Sequence, residues 1–341
     1  MAINLFGWKG DEKKLPWWTW VVPLPIFFVG TLISLEAKVS TGTSLFYLPM
    51  PFALTLTYWW GLRVLPAFYL NATLCAGMWG LEKVYLWPVY GSPEVIFVFL
   101  SWLLFVRVAR GNVCLPNTKN VIYFLLLGIL VPLLVYKIIL EFIFVMAGDA
   151  PKDHYWNLVI TTGFGDLIST FCISLPLLFT TGNVMTRHGL MLYPDKPEDE
   201  LETRYSLLQW AEILGIGALA YVINFYLSFV DYWFLNGILS LYIAIRFGFT
   251  VAILMNSYIL IITYFIPAGT QANFSPELFL QSQMLKTQLG TGLLYVFTTI
   301  TARLVSDMRL SEYQLNKQNK ELNLVNTEMD RFVYSVSHDL S

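Results

Sequence analysis

Two groups of residues could do chemistry. The first is a histidine followed directly by an acid, His338-Asp339, in a polar C-terminal stretch free of glycine and proline. A solvent-exposed imidazole beside a carboxylate has the parts of a group acceptor: a neutral ring nitrogen, and a neighbour that polarises the ring or takes its proton. The second group lies inside apolar runs: Lys137 and Glu141, four residues apart, then Asp166, Asn71 and Asn224. An ionisable group at bilayer depth costs about 2.5–3.5 kcal/mol on insertion, so each is expected to have a partner. The spacing lets Lys137 pair with Glu141 across one helical turn. Asp166 on the following span would face them, and Asn71 and Asn224 would add hydrogen bonds. Walled by Trp59, Trp60, Trp79 and Trp156 and open to the outside, such a pocket suits a small polar or zwitterionic ligand. The alternative is a neutralising pair with interhelical hydrogen bonds that fix packing.

Those positions imply apolar elements long enough to hold them. In the 341 residues, 56% are hydrophobic, 16% aromatic and only 13% charged. A soluble domain carries roughly 25% charged residues. The mean hydropathy is +0.59. These values indicate a polytopic membrane protein. A net charge of −2 without a basic cluster argues against nucleic-acid binding. Cys75, Cys114 and Cys172 are odd in number and widely spaced, so they read as small apolar residues and not as a disulfide framework or metal site. His154 and His188 read as exposed loop residues, and no resident metal or cofactor is expected.

A span needs about 20 apolar residues. The runs predict an all-α bundle with spans at 17–36, 45–62, 64–81, 93–108, 120–147, 156–181, 207–230, 233–247, 248–266 and 285–305. The first run opens on Trp17-Trp18, an interfacial anchor with no cleavage site after it, so it reads as a retained span. Two pairs of runs are parted only by the tips Gly61-Leu62-Arg63 and Arg246-Phe247-Gly248; fusing each pair gives eight spans instead of ten. With ten, residues 1–16 and the C-terminus are cytoplasmic. Arg63, Arg107, Arg110, Lys119, Arg187, Arg246, Arg303 and Arg309 then lie inside, and only Lys38, Lys83, Lys152 and Lys286 outside. That asymmetry favours ten. The long loop 182–206 reads as polar and cytoplasmic. The hairpins 45–81 and 233–266 look alike, down to Asn71 and Asn256, which fits an old duplication or simply shared turn chemistry.

After residue 305 the character changes. With Met308 at heptad position a, the a row is Met308, Leu315, Leu322, Met329 and Val336, and the d row is Ser311, Gln318, Val325, Phe332 and Asp339. An apolar a row with Asn, Gln and Glu elsewhere predicts a parallel two-stranded coiled coil over 306–330, hence a homodimer, and His338 falls on its flank at position c.

The run Phe332-Val333-Tyr334-Ser335-Val336-Ser337-His338-Asp339-Leu340-Ser341 resembles the H-box of sensor histidine kinases, whose core is Ser-His-Asp/Glu-Leu. The resemblance implies that His338 accepts the γ-phosphoryl group of ATP and that Asp339 assists proton transfer. It implies that 331–341 opens the first dimerisation helix, so that ATP, Mg and a response regulator engage only with a further kinase domain and this chain alone is not catalytically competent. Residues 17–305 resemble the membrane-associated sensor domain of the first type (MASE-type), found upstream of histidine kinases and cyclic-di-GMP enzymes in the bacterial cytoplasmic membrane. The similar stretches are Phe46-Tyr47-Leu48-Pro49-Met50-Pro51-Phe52-Ala53-Leu54, Phe164-Gly165-Asp166-Leu167 and Ala244-Ile245-Arg246-Phe247-Gly248, with Phe52 where the family has glycine. That resemblance again points to Asp166. Together these readings predict a sensory input module. The alternatives are a docking platform that reads a partner membrane transporter, and a transporter-like bundle.

Overall fold

The computed structural model describes residues 15–40, 42–44, 46–192, 205–227, 229–270 and 282–339. The expected cytoplasmic N-terminus (1–14 of it), most of the loop around Pro194–Glu200, and Leu340 and Ser341 lie outside the described residues, as do the side chains of His338 and Asp339.

The chain is all-helical apart from one short antiparallel hairpin, β1 (Lys38–Ser40) with β2 (Thr43–Ser44). The helices are α1 (Pro23–Leu35), α2 (Pro49–Trp60), α3 (Leu65–Cys75), α4 (Trp87–Trp102), α5 (Thr118–Tyr123), α6 (Val131–Ala147), α7 (Tyr155–Arg187), α8 (Leu207–Tyr226), α9 (Phe229–Phe247), α10 (Phe249–Thr270) and α11 (Ser282–Asp339). A turn of π-helix extends α4 over Leu103–Val108, and another, Phe124–Leu130, joins α5 to α6. Among the described residues six helical stretches are long and apolar enough to cross a membrane: Trp17–Leu35, Val84–Val108, Thr118–Ala147, Lys152–Arg187, Leu207–Tyr226 and Lys286–Phe332. This is a membrane protein by that measure. The helices α2 and α3, with 12 and 11 residues, are shorter. At 1.5 Å per residue each rises about 18 Å.

Helices alternate in direction between two ends. At one end Arg63 donates to Thr19 Oγ1 (3.4 Å), Leu192 N to Trp59 O (2.7 Å) and Tyr205 OH to Phe247 O (2.9 Å). Thr118 meets Asp307 at that same end. At the other, Gly42 N donates to Trp79 O (2.9 Å) and Lys83 pairs with Asp149 (2.9 Å). At both tips the helices are separate. Gly61 (φ +74°) ends α2 and Gly248 (φ +83°) parts α9 from α10, and in each case the chain reverses. A left-handed backbone conformation is open to glycine and strained for other residues. Reversal at Gly248 brings Asn236 of α9 back to Thr263 of α10 (3.4 Å).

Pro93, Pro132 and Pro176 lie within continuous helical stretches, and each removes the donor to the carbonyl four residues earlier. At each of these three a serine hydroxyl replaces it. Ser92 Oγ donates to Val89 O (2.8 Å) ahead of Pro93, Ser101 Oγ to Gly128 O ahead of Pro132, and Ser257 Oγ to Cys172 O ahead of Pro176. Away from water this substitution keeps the helices intact.

Of the six long stretches that of α7 is the most buried, at 78%, and that of α8 the least, at 17%; the short α2 is buried along nearly its whole length as well. The three cysteines are buried, as expected of small apolar residues.

Replacing Gly61 tests the reversal. A β-carbon there would stand 2.6 Å from Leu192 Cδ2, whereas one at Gly215 meets nothing within 4 Å. Gly61→Val is expected to cost about 1–3 kcal/mol through strain and overpacking, seen as earlier loss of monodisperse elution on heating in detergent. Gly215→Ala should melt like the parent, and equal melting of the two variants would contradict the turn.

Candidate functional site

A cavity of about 60 Å³ lies toward the Lys83–Asp149 end, lined from α3, α4, α6, α7 and the β-hairpin. Its centre is an ion pair. Lys137 Nζ of α6 lies 2.7 Å from Asp166 Oδ2 of α7, and the two side chains are only 7% and 10% exposed. The amphipathic pattern of α6 puts Tyr136, Lys137, Leu140, Glu141 and Phe144 on its buried face, so Glu141 follows Lys137 into the cavity one turn on. The expected Lys137–Glu141 pairing gives way to Lys137–Asp166. Glu141 Oε1 instead accepts from Thr162 Oγ1 of α7 (3.2 Å). Asp166 does face the other two, as the spacing suggested.

Two expected members are elsewhere. Asn71 is buried one residue from the cavity wall, donating to Thr31 Oγ1 of α1 (3.1 Å) and accepting from Cys75 Sγ (3.5 Å). Asn224 forms a separate cluster with Asn236 and Thr263, exchanging both amide hydrogen bonds with Asn236 (3.1 Å each). Both asparagines lock helices together. Of the four expected tryptophans Trp79 lines the cavity; Trp59 and Trp60 are buried at the opposite end, and Trp156 is 63% exposed. His154 and His188 are exposed.

Sequence reasoning missed Glu94, Tyr47 and Tyr136. The span expected over 93–108 puts Glu94 at its outer edge. Instead α4 runs through Pro93, and Glu94 Oε2 accepts from Tyr47 OH (2.9 Å) across the cavity. The capped carbonyl at Val89 is what allows it, and an acid just after a Ser-Pro pair was the available signal.

The cavity reaches the long C-terminal helix through α7. Gln288 of α11 is 1% exposed, and its Nε2 would lie 3.5 Å from a β-carbon at Gly165, the residue before Asp166. Neither side-chain polar atom of Gln288 has a hydrogen-bond partner, nor does the hydroxyl of Thr291 one turn on. Where α11 leaves the bundle it is held firmly. Arg303 Nε donates to Asp307 Oδ1 (2.9 Å), with its guanidinium 5.0 Å from the Phe249 ring centre. Asp307 Oδ2 accepts from Thr118 N and Oγ1 (2.9 and 2.7 Å), and Arg309 donates to the carbonyls of Ile245 and Arg246 (3.0 and 3.2 Å). Beyond this collar the helix stands free, with Met308, Leu315, Leu322, Met329 and Phe332 59–70% exposed. His338 and Asp339 lie on its last turn. Comparison with family models, curated proteins and solved structures returns no match.

Removing one partner of a buried pair leaves an uncompensated charge, typically at a cost of about 3–5 kcal/mol. Lys137→Met should destabilise more than Asp166→Asn. The first takes the one cation from among three lining carboxylates, whereas after the second Lys137 still has Glu141 on the next turn. The Lys137→Met/Asp166→Asn double variant should lose less than the sum, as read from thermal unfolding in detergent. Strict additivity would mean the two side chains do not interact.

Proposed function

We propose that this chain is the sensory input part of a homodimeric, membrane-bound histidine kinase of MASE-type architecture. A stimulus at the cavity would be carried by α7 to α11, and by α11 to phosphoacceptor His338. The observation that carries the reading is the continuity of α11: one helix, Ser282–Asp339, runs from beside Asp166 through the Arg303–Asp307 collar to the Ser337-His338-Asp339 segment.

Several features support it. Counting α2, α3, α9 and α10 with the six long apolar stretches gives ten passes between the two ends, with Trp17 and the free part of α11 at the same end. Arg63, Lys119, Arg246, Arg303 and Arg309 belong to that end, and Lys38, Lys83, Glu82 and Asp149 to the other, so the first end is cytoplasmic by the distribution of positive charge. An apolar a row exposed in the single chain calls for a partner, and a parallel second copy buries it without a further protein. The cavity lies toward the outer end in this topology, where a ligand would arrive. A response regulator would read phosphorylated His338.

Two measurements test the reading. In native membranes, Leu322→Cys at position a should form a disulfide-linked dimer readily, and Lys320→Cys at position f should not; equal linkage would remove the coiled coil. In a protein that continues the H-box helix into a complete kinase core, His338→Gln should abolish ATP-dependent labelling, and one residue inserted near Ser311 should lock the output on or off by shifting the heptad phase. Labelling that survives His338→Gln ends the proposal.

A further inference from the structure

The cavity holds more acid than base. Glu94, Glu141 and Asp166 line it against Lys137 alone. Lys137 and Asp166 satisfy each other at 2.7 Å. Glu94 and Glu141 receive only hydroxyl hydrogen bonds, from Tyr47 (2.9 Å) and Thr162 (3.2 Å). Neither hydroxyl supplies charge. Two carboxylates facing one cavity between helices, with no ion-pair partner among the described residues, are unfavourable until something positive joins them.

The walls fit an organic cation. Tyr47, Trp79, Tyr90 and Tyr136 contribute rings, with Tyr47 and Trp79 edge-to-face at 5.7 Å. An aromatic face attracts an ammonium through its quadrupole. The protein's own ammonium already uses this property: Lys137 Nζ lies 5.0 Å from the Tyr136 ring centre. A metal ion fits less well, because among the described residues no three His, Cys, Asp or Glu side chains converge as ligands. One water needs about 10–15 Å³ of such space, so 60 Å³ admits a ligand of a few heavy atoms.

We infer that the cavity binds a small organic ammonium ion, an amine or methylated amine. Glu94 and Glu141 are its counter-charges, and Tyr47, Trp79 and Tyr136 its ring walls. This names a ligand class for the sensory reading and rests on that reading only for what binding does, not for binding itself.

The test uses the whole chain in lipid nanodiscs, titrated with ethylammonium or tetramethylammonium chloride by calorimetry, with sodium acetate and sodium chloride at matched ionic strength as controls. Saturable binding of at least one ammonium and none of acetate is expected. Affinity should fall tenfold or more in Glu94→Gln and in Glu141→Gln, each checked for folding by circular dichroism and elution. It should be unchanged in Glu212→Gln, whose carboxylate pairs with Arg246 away from the cavity. The inference is overturned if neither ammonium saturates, if folded Gln variants bind equally well, or if the carboxylates only take up protons that the ammonium probes do not displace. Binding that leaves phosphorylation of the complete kinase unchanged overturns the sensory reading and leaves the cation site standing. A kinase response without binding does the reverse.

Discussion

In an apolar bundle there is no water to complete an unpaired polar group, and this constraint shapes the molecule throughout. Leaving such a group unsatisfied costs several kcal/mol in hydrocarbon. Hence the serine on the carbonyl freed by each of Pro93, Pro132 and Pro176, and hence the asparagine–threonine clusters that tie α1 to α3 and α8 to α9 and α10. The same rule makes Lys137 and Asp166 inseparable. With so many polar groups matched internally, the few that are not become informative.

Two places with unmatched polar groups adjoin each other. One is the cavity, where two carboxylates lack a positive partner; the other is the contact between α7 and α11, where Gln288 and Thr291 have none. One residue, Gly165, separates them on α7. A binding site and a movable contact share the same requirement, a polar group whose best partner is absent from the resting arrangement, and here both requirements fall on neighbouring parts of α7.

The sequence discloses the helices and their reversals because hydropathy and glycine–arginine tips are local signals. It discloses depth, too: Lys137, Glu141 and Asp166 had to lie inside, and they do. Azimuth is not local. Asn71 and Asn224 have the right depth and face other neighbours, since which helix packs beside which depends on the whole bundle. Glu94 escapes the sequence pattern for a different reason. Proline normally marks a helix start, and only a serine one position earlier allows α4 to continue through it. Tyr47 lies in the extended stretch before α2, and no periodic pattern assigns a face to such a stretch.

The two sides of α11 differ in a way that bears on how it could move. Against α9 it is interlocked: a β-carbon at Gly290 would sit 2.3 Å from Trp233, and one at Gly237 2.1 Å from Leu294, so each helix fills a notch in the other. Arg309 then ties α11 to the last carbonyls of α9. Against α7 the contact includes the unpaired Gln288 and Thr291. Tight packing resists sliding, while an interface with unsatisfied polar groups gives up less when it shifts. A change at the cavity would therefore displace α9 and α11 together relative to α7. The collar at Arg303 and Asp307, which also holds Thr118 at the start of α5, is where that displacement would have to be absorbed or passed into the free rod.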